Sequence, residues 1–172
     1  MSPKSAKHRS SVFVASLICL IGMNQIVMAQ EKNHAAWNVD AILINDNEAM
    51  INLQVRIDSG WHVYTADVPV PDAALQIFFD KSEKYQLVNA VRVESASIEK
   101  MDPIFGRPLK RFERYALFSQ RIKITDTYSI VKGSIRFTVG SEDLRPRQQI
   151  LSFSVGVIKA NKNTARPITV SN

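Results

Sequence analysis

The chain has 172 residues, a formal net charge of +6 and a single cysteine, Cys19. That length suits one domain with appendages. The bases are scattered, with no stripe of the kind that tracks nucleic acid, and one cysteine cannot build a disulfide framework.

The first 29 residues read as a signal peptide. Lys4, Lys7, His8 and Arg9 form a basic start, and Val12 to Met28 is an apolar run. Val27-Met28-Ala29 then offers the residues a signal peptidase reads, which places cleavage before Gln30. The competing reading is an uncleaved anchor, with Gly22, Asn24 and Gln25 tolerated inside the span. Cleavage predicts an exported, periplasmic protein with no remaining membrane span. It also removes Cys19 and lowers the net charge from +6 to +3, since Lys4, Lys7 and Arg9 leave with the leader. The predicted organisation is 1–29 signal, 30–36 polar lead-in, 37–158 folded domain and 159–172 loose tail.

Trp37 to Ile44 alternates and reads as a strand. Asn45-Asp46-Asn47 is turn chemistry, because these side chains bond locally and tolerate left-handed backbone. In Met50 to Ile57, the residues Ile51, Leu53, Val55 and Ile57 share one face, which predicts a hairpin with the preceding strand. Asp58-Ser59-Gly60 turns into a short aromatic strand, Trp61 to Thr65. Pro69 and Pro71 mark a loop. Leu75 to Phe79 and Tyr85 to Val93 are predicted strands. Ser95 to Arg111, with two prolines and mixed charge, is expected to be mostly loop. Phe112 to Ile124 follows as one long strand or two kinked ones, and Thr125 to Gly133 as a connector.

The last hairpin is the most regular part of the chain. Ile135, Phe137 and Val139 share a face before the loop Gly140 to Gln148; Leu151, Phe153, Val155 and Val157 share one after it. No stretch shows sustained helical periodicity. Eight or nine short strands imply an all-β, immunoglobulin-like antiparallel β-sandwich.

The residues supply no catalytic signature. His34 and His62 lack metal-ligand spacing, so neither a metal nor another cofactor is expected, and His62 is expected to be a packed structural histidine. Glu142-Asp143 is expected to be a solvated pair on an exposed loop. Thiol chemistry needs a cysteine that the exported chain would not have. The chain is therefore expected not to act as an enzyme on its own. Ile104 and Phe105 are an apolar pair in a segment expected to be irregular. They either fold back as a small satellite cluster or cover a partner.

Three stretches together resemble the periplasmic N-terminal domain of the thiol–disulfide interchange reductase DsbD, the disulfide bond corrector family. They are Asp58-Ser59-Gly60-Trp61-His62-Val63-Tyr64; Asp102-Pro103-Ile104-Phe105-Gly106-Arg107 with Phe112-Glu113-Arg114-Tyr115; and Gly133 through Pro146. The resemblance covers roughly Trp37 to Val157. It implies an immunoglobulin-like sandwich with a cap loop over a reactive cysteine pair that passes electrons to thioredoxin-like partners. Gly140 and Arg145 stand where those cysteines would be. The resemblance thus implies a redox-silent, protein-binding module contacting an envelope protein through Asp102, Ile104, Phe105, Gly106 and Arg145, with His62 and Tyr64 beneath. Arg145 is expected to fill the vacated site with a salt bridge to Glu142, Asp143 or Asp102. Two rival readings remain. One is a docking component of a relay whose partner supplies the cysteines. The other is a structural or carbohydrate-surface sandwich, which would need aromatic residues on an open sheet face; Trp37 and Trp61 are instead expected in the core. The full reductase's membrane-spanning segment and C-terminal thioredoxin domain are not expected in a chain of this length.

Overall fold

The structure is a computed structural model that describes residues 33–159. The predicted signal peptide, residues 30–32 of the lead-in and all but Lys159 of the tail lie outside the described residues. Within them the chain forms ten strands and no helix: β1 (Ala35–Asn45), β2 (Glu48–Ile57), β3 (Trp61–Tyr64), β4 (Gln76–Phe79), β5 (Tyr85–Val93), β6 (Ile98–Asp102), β7 (Arg107–Glu113), β8 (Tyr115–Ile124), β9 (Tyr128–Ser141) and β10 (Arg147–Ile158).

Two antiparallel sheets pack as a sandwich. One has the order β1-β2-β8-β5; the other runs β10-β9-β3-β7-β6, with β4 also paired to β9. β3 and β4 therefore lie end to end along one flank of β9, at Val139 to Ser141 and Gly133 to Arg136 respectively. The alternation read in the sequence becomes the core. Ile51, Leu53, Val55, Phe118, Ile122, Ile135, Phe137 and Val139 are all buried between the sheets. Burial of such side chains stabilises by about 1.5–3 kcal/mol each.

The sandwich departs from the sequence reading in four places. Ser95 to Arg111 is no loop: β6 and β7 form a hairpin from Ile98↔Arg111 to Asp102↔Arg107, and only residues 103–106 turn. Phe112 belongs to β7. The chain then crosses to the other sheet through Arg114, whose φ of 66° sits in the left-handed region, so β8 starts at Tyr115. β9 begins at Tyr128, inside the supposed connector, and the final loop shrinks to residues 142–146.

β5 breaks its ladder with β8 between Val88 and Arg92, and Asn89 there has φ 61°. The buried Gln120 side chain satisfies the bulge, its Nε2 donating to the carbonyls of Val88 (3.1 Å) and Asn89 (3.3 Å).

Candidate functional site

β3 alternates between two environments. Val63 points into the sandwich core, whereas His62 and Tyr64 point to the outer face of their sheet. That face is roofed at this end. The loop 66–75 brings Val68, Ala73 and Ala74 over Tyr64 and Leu109, and Val70 and Phe105 pack against the same cluster. The loop is pinned where Thr138 Oγ1 (3.2 Å) and Gln148 Nε2 (2.6 Å) donate to the Asp72 carbonyl. A second, smaller core thus lies outside the sandwich.

Its polar half is built from β3, β6, β7 and the β9–β10 turn. Tyr64 Oη donates to Asp102 Oδ2 at 2.5 Å. Asp102 Oδ1 accepts from the backbone N–H groups of Ile104 and Phe105, both at 3.0 Å, and its carbonyl accepts from Gly106 N–H at 2.8 Å. One buried carboxylate therefore shapes the whole tip of the β6–β7 hairpin. Gly106 at φ 63° closes that turn in a conformation glycine adopts without strain. Phe105 folds back onto Tyr64, ring edge to ring face at 5.8 Å, while Ile104 stays exposed. Phe105 thus takes the folded-back possibility, and Ile104 does not.

His62 is 2% exposed, with Nε2 lying 3.8 Å from Asp102 Oδ2 and making no hydrogen bond among the described residues. It is a packed histidine, as expected. Burial first, and the Arg111 cation second, hold its pKa down to about 4, against the opposing pull of Asp102. Burial and the bond to Asp102 push the Tyr64 hydroxyl well above its ordinary value.

Gly140 lies opposite His62 in the β3–β9 ladder. A Cβ at position 140 would come within 2.6 Å of His62 Nε2 and 2.9 Å of Tyr64 Oη. The imidazole and phenol occupy the space a larger residue would need. Gly140→Ala is expected to cost about 1–3 kcal/mol in chemical denaturation, and His62→Ala in the same chain to recover part of it.

The expected salt bridge from Arg145 is not made among the described residues; Arg111 fills that role. Arg111 is 1% exposed. Its Nη2 donates to Glu142 Oε1 at 2.7 Å and its Nε to Glu113 Oε1 at 3.2 Å, while Nη1 is buried without a partner. Lys100 Nζ reaches the same Glu142 oxygen at 3.1 Å. Glu142 is thus no idle solvated acid: Arg111 first, and Lys100 second, hold its carboxyl below the usual range. Arg145 lies instead along a groove of about 860 Å³ with Val70, Pro103, Ile104, Phe105 and Pro146. Arg111 carried no signal in the sequence, since a cation between Lys110 and Phe112 reads as a solvated one.

Neither tryptophan offers an open platform. Trp37 packs on Phe118 and Phe137, and Trp61 is covered by His34 stacked at 3.7 Å.

The neutral imidazole sets one pH effect. Above pH 6.5 both folded and unfolded chains carry His62 uncharged. Below it the unfolded chain gains a proton that the fold refuses until about pH 4, so stability falls across that window by roughly 3 kcal/mol. Denaturation series at pH 7 and pH 4 should show the loss, and His62→Leu should shrink it.

No family model and no curated protein matches the chain. The structure is similar to the N-terminal periplasmic domain of ScsB from Proteus mirabilis, with a TM-score of 0.54 at 14% identity. That alignment covers 76% of this chain and 48% of the ScsB chain, so the chain spans about half the length of that structure. Looser similarities reach the reduced DsbD N-terminal domain of Neisseria meningitidis (TM-score 0.45, 17% identity, 73% of this chain and 91% of that one). They also reach a chain of the complex between the DsbD N-terminal and PilB N-terminal domains of the same organism (TM-score 0.43, 13% identity, 75% and 88% covered). At these identities the likeness concerns the fold: an all-β sandwich of the kind the motifs implied.

Proposed function

We propose that this chain is an exported, redox-silent module that binds an envelope protein through the β6–β7 tip and the β9–β10 turn. The observation that carries this reading is the filled space at Gly140. Where the motif resemblance puts one reactive cysteine, backbone glycine meets the His62 imidazole and Tyr64 phenol, and the other position, Arg145, has no sulfur. The chemistry is replaced by packing, while the surface around it keeps apolar groups in water. Ile104, which lines the groove with Arg145, and Leu144, next to Arg145 in the chain, are both exposed. Such a groove suits contact with a protein, the role proposed for the chain. A thioredoxin-like partner that supplies both cysteines is the form of this reading closest to the motif resemblance.

The test is a photo-reactive residue at Ile104, which is exposed, with Leu87 on β5 as an exposed control. Irradiation of intact cells is expected to capture one envelope protein at position 104 and not at 87, with capture weakened by Arg145→Glu. Equal capture at both positions would remove the basis for a docking face here.

A further inference from the structure

The strand pattern leaves one sheet edge undefended. The sandwich ends laterally at β1 and β5 in one sheet and at β10, β6 and the four-residue β4 in the other. An edge strand presents unpaired N–H and C=O groups, and proteins guard such edges by charge, bulge or brevity. β5 is broken by its bulge at Asn89. β6 is five residues long and carries Glu99 and Lys100. β1 carries Asp40 in mid-strand and a register shift near Leu43. β10 has none of these devices. It runs twelve residues in unbroken register with β9, and residues 148–158 hold no charge. Among the described residues the other flank of residues 148–158 makes no backbone hydrogen bond, although β1 lies near it.

We propose that two copies of this chain join antiparallel along β10, about a twofold axis at Ser152, merging their six-stranded sheets. The side chains select a second copy as the occupant. With the axis at Ser152, Leu151 meets the partner's Phe153, Ile150 meets the partner's Ser154, and Gln148 meets the partner's Gly156. Large residues then face small ones on the outer face. Leu151 lies on the core-facing side of β10 yet is 37% exposed, and Ile150 is 64% exposed; the partner strand covers both. Moving the axis to Phe153 sets Arg147 against the partner's Lys159. Moving it to Leu151 leaves residues 156–158 unpaired. An uncharged strand has no self-repulsion, the one property a twofold edge must have.

Ser152 is exposed and faces Ser134 of β9, so a charged residue there leaves the monomer fold intact. The mature protein, Ser152→Lys and Ser152→Glu are compared by light scattering over a concentration series, with circular dichroism as the check on folding. A dimeric parent is expected, with each variant weakened about fivefold or more by like charges meeting at the axis. Mixing the lysine and glutamate variants should restore the dimer. A monomeric parent overturns the proposal, including one that pairs its edge only with a strand of another protein. So does a dimer indifferent to both variants, or a mixture that fails to re-form it. None of these outcomes touches Ile104, so failure here leaves the docking reading untouched.

Discussion

Asp102→Ala is expected to destabilise the protein by about 3 kcal/mol in chemical denaturation. The carboxylate is buried and accepts three hydrogen bonds, from the Tyr64 hydroxyl and from the Ile104 and Phe105 amides. Truncation strands all three donors. The Tyr64 hydroxyl, on a residue 0% exposed, has no water to turn to. Tyr64→Phe removes only one donor and leaves Asp102 its two amides, so it should cost less, about 1–2 kcal/mol. An equal cost for both changes would mean that the amide bonds contribute nothing and that the tip is held by Phe105 packing alone. The same substitution tests the docking reading. A tip without Asp102 should lose capture from position 104 even where the sandwich stays folded.

The second large effect lies in the Arg111 cluster, and its order is the informative part. Glu142→Ala should cost about 2–4 kcal/mol, because it leaves a guanidinium that is 1% exposed with Glu113 as its remaining charged partner among the described residues. Arg111→Met removes the buried charge itself. Glu142 and Glu113 are 46% and 40% exposed, so water solvates them, and Glu142 keeps Lys100. That change should fall within about 1 kcal/mol of the parent and could even stabilise it. Midpoints and slopes of urea unfolding check both. Arg111→Met as the worse of the two would mean that the cation acts as structural glue and not as a buried cost tolerated for another reason.

The strands that the sequence showed clearly are those whose period-two pattern meets a core on one face. β2 and β9 are of this kind, and Ile51, Leu53, Ile135 and Phe137 all fell inward. β6 and β7 were invisible because their hairpin forms the edge of its sheet, where Glu99, Lys100, Lys110 and Arg111 alternate with little apolar contrast. Pro103 and Pro108 deepened the impression of loop. Pro108 sits opposite Met101 within the hairpin. Arg145 and Arg111 exchanged roles for a related reason. Nearness in the chain to Glu142 favoured Arg145, whereas register carried Arg111 beneath it. His62 and Tyr64 were legible as a pair because alternate residues of one strand share a face. That Gly140 would meet them needed the β3–β9 pairing, a contact across some eighty residues of chain, on the order of what only tertiary structure supplies.

The separate small core beneath the hairpin tip has a consequence for the time domain. Its apolar members are few: Tyr64, Val68, Ala73, Ala74 and Leu109, with Val70 and Phe105 at the margin. A cluster of that size opens at a lower free energy than the sandwich it rests on. The amide protons of Phe105 and Gly106, both tied to Asp102, should therefore trade for deuterium together and early, as one cooperative unit. Those of Val63 and Val139, paired one strand deeper, should wait for the whole molecule. The protein would carry two clocks, and the faster one would run at the surface proposed to dock.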